Sequence, residues 1–128
     1  MMPGLLSVVE SPTHPDCGTA YRTLGLDTET VTSIRKAIAA VKRRPPDLVV
    51  AEFFYGYGNN YAGVNLGNLD TLLATLRSKA PQARTVVMVD KGERKWAEQL
   101  ATLYPVAAIL EQPVDCTMLK RTLEGLLP

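Results

Sequence analysis

Four stretches of this chain are continuously apolar, lack helical spacing and end in polar residues. They are Leu5-Leu6-Ser7-Val8-Val9, Leu48-Val49-Val50-Ala51, Thr85-Val86-Val87-Met88-Val89 and Val106-Ala107-Ala108-Ile109-Leu110. A strand covered on both faces needs such a run, because neither side of it meets water. Thr28 to Thr32 alternates Thr and Val with polar residues, which predicts a fifth strand at a sheet edge. Between these runs the spacing changes to three and four residues. Ile34, Ala37, Ile38 and Val41 share one helical face with Ser33 as N-cap, and Pro45-Pro46 ends that segment. Leu69, Leu72, Leu73 and Leu76 repeat the pattern before Pro81, as do Trp96, Ala97, Leu100 and Leu103. Leu119, Leu123, Leu126 and Leu127 follow an Asp115 N-cap. A short first helix, opened by Pro12 or Pro15 and limited by Gly18 and Gly25, places Ala20, Tyr21 and Leu24 inward.

Strand and helix thus alternate five times without a linker or repeat, so residues 1–128 are read as one α/β domain. Such alternation favours a parallel sheet with right-handed crossovers and helices on both faces. Ligands of open sheets of this kind lie beyond the carboxyl ends of the strands. That rule directs the search to Glu10-Ser11, Glu52-Phe53, Asp90-Lys91 and Glu111-Gln112. Glu10, Glu52 and Asp90 are expected to converge. Like charges so placed raise one another's pKa and repel anions unless a cation joins them. Lys91 is the local cation, with Arg94 and backbone amides as other means of neutralisation. The three carboxylates are also hard oxygen donors that could hold Mg²⁺, but no cofactor, metal ligand or catalytic residue is assigned.

Charge narrows the partners. Fourteen Lys and Arg against 13 Asp and Glu leave a formal net charge of +1, so no global field draws the chain to nucleic acid or an anionic membrane. The cluster Lys42-Arg43-Arg44 sits at a predicted helix C-terminus, where cations complement the dipole. No segment approaches the length of a membrane span and Leu5 to Val9 is too short for a signal peptide, so the expected compartment is the cytoplasm. Cys17 and Cys116 lack metal-like spacing and are expected to be free buried thiols, and His14 has no evident companion.

The strand ends resemble those of bacterial response-regulator receiver domains over nearly the whole chain. Pro46-Asp47-Leu48-Val49-Val50-Ala51-Glu52 is similar to the family's strand leading to the phosphoacceptor aspartate, with Glu52 at the acceptor position. Ala107 to Asp115 resembles the fifth strand and its lysine-proline turn, with Gln112-Pro113 where lysine-proline stands. Val86 to Asp90 resembles the fourth strand, with Asp90 in place of a threonine or serine. Val8-Val9-Glu10-Ser11 resembles the first, with Glu10 and Ser11 replacing the metal-binding acidic pair. The resemblance implies a flavodoxin-like, doubly wound three-layer sandwich with five parallel strands in the order 2-1-3-4-5 and five helices. The departures imply loss of phosphoryl chemistry: phosphoryl transfer depends on neutralising its oxygens, and Gln112 and Asp90 cannot do so. Glu52 is also one methylene longer than aspartate, and displacement of a nucleophile by roughly an ångström is costly in rate. Ile109 replaces a switching aromatic and is expected to be a stiff core residue.

The implied role is a phosphorylation-independent protein-interaction module in bacterial signalling, with Glu10, Ser11, Glu52, Asp90, Gln112 and Pro113 marking a relict pocket. The alternative is a metal-binding or residually phosphorylatable receiver built on Glu10, Glu52 and Asp90. Phe53 to Asn68 is rich in Gly and Asn and carries Tyr55, Tyr57 and Tyr61. Loops longer than roughly a dozen residues are usually functional or disordered. These tyrosines are therefore candidate partner contacts, or else they pack on their own domain. A homodimer through the fourth helix, fifth strand and fifth helix would use Lys95, Glu98, Lys120, Arg121 and Glu124, which otherwise form a solvated face.

Overall fold

The computed structural model describes residues 2–56 and 66–127. The elements run β1 (Gly4–Val8), α1 (Gly18–Thr23), β2 (Asp27–Val31), α2 (Ile34–Arg43), β3 (Leu48–Glu52), α3 (Asp70–Lys79), β4 (Arg84–Val89), α4 (Arg94–Leu103), β5 (Ala108–Glu111) and α5 (Cys116–Leu126). A 3-10 turn over Lys91–Glu93 leads into α4. The five strands form one sheet in the order β2-β1-β3-β4-β5, and every pairing is parallel.

Side chains alternate across the sheet, and the two faces collect separate cores. Leu6, Val8, Val49, Ala51, Val87 and Val89 pack with α2, α3 and α4. Leu5, Leu48, Val50, Val86 and Met88 pack with Tyr21 of α1 and with Leu119 and Leu123 of α5. β3 is buried at all five positions, whereas β2 lies at the edge and is polar. The expected caps form: Ser33 accepts from the Lys36 amide at 3.1 Å and Asp115 from the Met118 amide at 2.7 Å. The basic cluster closing α2 turns to β2, with Arg43 paired to Glu29 and Arg44 to Asp27.

Two expectations need correction. The fifth apolar run begins at Val106, but β5 begins at Ala108, because Ala107 only donates its amide to Thr85 before the ladder starts. Ile109 is half-buried and packs on the α2–α4 side as a core residue. Cys17 and Cys116, expected as free thiols, form a disulfide across 99 residues of sequence. Cys17 precedes α1 and Cys116 opens α5, and the parallel crossovers set those two segments side by side. Among the described residues, no helix is long and apolar enough to cross a membrane.

Candidate functional site

Glu52 ends β3 on the face of Leu48 and Val50, where the loop from β1 to α1 crosses over it. It is 2% exposed. Its Oε2 accepts the Glu10 amide at 2.8 Å and lies 3.0 Å from Nδ1 of His14, whose side chain is 1% exposed. Oε1 accepts the Ser11 hydroxyl, and that hydroxyl is 2.7 Å from Thr13 Oγ1. Burial would raise the Glu52 pKa, but hydrogen bonds from His14, Ser11 and the Glu10 amide outweigh it and hold the carboxyl below its ordinary value. An ionised carboxylate only accepts, so Nδ1 is the nitrogen that carries the proton toward it. His14 Nε2 then faces Ser7 Oγ, a longer contact of 3.5 Å. His14 thus has a companion that sequence spacing did not reveal, 38 residues away.

Glu10 follows β1 and sits half-buried beside this group. Burial raises its pKa, the Asn68 amide lowers it and the Glu52 charge raises it again, with a net rise. Asn68 is the residue that sequence reasoning missed. Its Nδ2 donates to Glu10 Oε1 at 2.9 Å and to the Glu52 carbonyl at 2.8 Å, while its Oδ1 accepts the Phe54 amide at 2.7 Å. One buried amide therefore binds the end of β3 to Glu10. An Asn among turn-forming Gly and Asn residues gives no sign of this.

The same contacts close the neck of the segment after β3. Tyr55 and Gly67 form an isolated antiparallel bridge, and Asp70 Oδ1 accepts the Leu66 and Gly67 amides at 2.9 and 2.8 Å. A Cβ on Gly67 would lie 2.4 Å from the Phe54 carbonyl oxygen, so the close approach requires glycine there. Tyr55 stacks on Trp96 with ring centroids 4.1 Å apart and remains 43% exposed. Tyr57 and Tyr61 lie outside the described residues.

Toward β4 and β5 the site opens. A shallow cavity of about 200 Å³ is lined by Ser11, Thr13, Glu52, Phe53, Asp90 and Gln112, among others. Asp90 is exposed on its rim. Glu52 and Asp90 line this one cavity, but among the described residues no three His, Cys, Asp or Glu side chains are grouped to hold a metal ion. Gln112 donates its amide to the Val89 carbonyl at 2.8 Å, and its side-chain Oε1 accepts the Val114 amide at 3.1 Å. The Gln112–Pro113 peptide is cis, and Pro113 is exposed. Arg94 pairs with Glu98 and Glu111, each at 3.2 Å. Lys91 is exposed and forms no ion pair among the described residues. Neutralisation of Glu52 thus comes from a backbone amide, a hydroxyl and an imidazole.

No family model and no curated protein matches the sequence. Solved structures do match. A response regulator from Thermotoga maritima is 16% identical with a TM-score of 0.74, covering 98% of each chain. The receiver domain of NtrX from Brucella abortus is 22% identical with a TM-score of 0.73 and 97% coverage of both chains. A response regulator receiver protein from Sinorhizobium medicae WSM419 is 21% identical with a TM-score of 0.71, covering 98% of this chain and 93% of that one. The strand order and the helices on both faces are thus those of a receiver: this chain has the response-regulator receiver fold.

Proposed function

We propose that the chain is a receiver-like module of bacterial signal transduction that acts by binding another protein, without phosphorylation and without catalysis. The observation that carries this reading is the state of Glu52. At the position that resembles the phosphoacceptor, the carboxylate is buried and its two oxygens already receive the Glu10 amide, Ser11 and His14. A nucleophile must lie within about 3–3.5 Å of the group it attacks, and here both oxygens are engaged and the side chain is closed off from water. The incoming phosphoryl oxygens would then face Asp90 and neutral Gln112, which supply no positive charge. The reading includes no cofactor. Its partner contacts are Tyr55, Tyr57 and Tyr61, with Tyr55 exposed and stacked on the half-buried Trp96. Aromatic side chains of this kind often anchor interfaces.

Incubation with acetyl phosphate and Mg²⁺, followed by intact-mass measurement and amide NMR shifts, tests it. The expected result is no phosphoryl adduct and no saturable shift at Glu10, Glu52 or Asp90. A stable adduct abolished by Glu52→Gln would overturn the proposal in favour of a phosphorylatable receiver, and Mg²⁺-only shifts at Glu10 and Glu52 would favour a metal site.

A further inference from the structure

The Cys17–Cys116 bond fastens the two segments that flank the strand-end cavity. Cys17 ends the loop that carries Ser11, Thr13 and His14, three of the groups around Glu52. Cys116 follows the turn that carries Gln112, on the cavity's other wall. The helix between the loop and β2 is only six residues long, well short of the length at which a helix is stable alone. It is held to the domain by the buried Cys17 and Tyr21 and by the partly buried Ala20 and Leu24, which pack on the same core. By contrast β1, β3 and β4 are joined by continuous ladders that owe nothing to the disulfide.

We infer that Cys17–Cys116 is a thiol-responsive clamp, whose reduction frees the β1–α1 loop and α1 and so uncovers Glu52 while the sheet stays folded. The two sulfurs differ in access, since Cys17 is 2% exposed and Cys116 is half-buried. A thiolate of a dithiol reductant attacks Cys116 Sγ. The Cys17–Cys116 bond breaks, and Cys17 leaves with the electron pair and takes up a proton. The reductant's second thiol then attacks its own sulfur in the mixed disulfide and expels Cys116 as thiolate. Two electrons pass to the protein, which becomes a dithiol, and the reductant becomes a disulfide. Cys116 opens an 11-residue helix, a position that favours a thiolate and speeds its departure. Disulfides in reducing compartments are usually transient and redox-sensing, and a clamp that releases one flank fits that use. The inference goes beyond the proposed function and stands apart from it: phosphorylation of Glu52 would remove that reading and leave this one intact.

The test uses the whole chain, purified in air and held under native conditions with and without dithiothreitol. Iodoacetamide should label no thiol before reduction and both cysteines after it. Hydrogen exchange should then quicken by about tenfold or more at the Glu10 and Tyr21 amides, while the amides of β3 and β4 stay nearly unchanged, as expected of local opening. The Cys17→Ser/Cys116→Ser double variant should show the reduced pattern and ignore the reductant. Two alkylatable thiols in the untreated protein would overturn the inference. So would resistance to reduction without denaturant, acceleration spread evenly over β3 and β4, or reduction that leaves the Glu10 amide unmoved.

Discussion

The two halves of the strand-end crevice treat like charges in opposite ways. On the β1–β3 side Glu52 is sealed from water and surrounded by donors, and Glu10 is held by Asn68. On the β4–β5 side Asp90 is left to solvent, and Glu111 is paired at the surface with Arg94. Burial decides the difference. An ionised carboxylate taken out of water must be compensated bond by bond, whereas an exposed one is stabilised by hydration and gains little from a partner. A crevice with several acids is therefore one structural centre and one solvated rim, not a single cluster.

Removing the centre should have the largest effect. In Glu52→Leu the Glu10 amide, the Ser11 hydroxyl and the His14 imidazole lose their acceptor in a buried place. Leaving a buried donor without its acceptor costs about 1–3 kcal/mol. Urea titration should show a lower midpoint with an unchanged slope, the mark of a stability change alone. A loss under about 1 kcal/mol would mean that the donors are solvated, and the contrast between the halves would collapse.

Acid should separate the two carboxylates of the closed half by sign. The Glu52 carboxyl has a folded pKa below its reference of 4.5, so its contribution is complete above that reference and lost as pH falls through the folded value. Glu10 is shifted upward, so its contribution is complete below the reference and lost as pH rises through its folded value. Measured stability should fall toward strong acid in the wild type, and Glu52→Gln should flatten that limb. Glu10→Gln should act on the less acid side and leave the strong-acid limb in place. Identical pH profiles for the two variants would show that the pair titrates as one unit, against the division drawn here.

What the sequence disclosed follows from periodicity. Apolar runs named β1, β3 and β4, the alternation of Thr and Val named β2 as an edge, and Ser33 and Asp115 marked helix starts that the caps confirm. The acids at the strand ends were equally legible, since a strand's last residues point to known faces. Loop side chains obey no period. His14, Asn68 and the cysteine pair reach their partners across 38, 16 and 99 residues, and those meetings exist only once the crossovers have stacked one loop over another strand's end. Gln112 lines the same cavity as Glu52. The His14 imidazole reaches Glu52 from the loop between β1 and α1, and the Asn68 amide reaches the end of β3 from the segment before α3.

Asp90→Asn should be the smallest perturbation. The substitution removes a charge at a solvated rim and breaks no ion pair among the described residues, and exposed substitutions of this type usually fall within about 0.5 kcal/mol. The Asp90 carbonyl, which accepts the Glu93 amide at 2.8 Å and starts the turn into α4, is retained in the variant. Stability by urea titration should therefore stay within error of the wild type, and so should amide exchange at Glu10. A loss comparable to that of Glu52→Leu would place Asp90 in the same electrostatic unit as Glu52, and the crevice would again be the single acidic cluster that its strand-end positions first suggest.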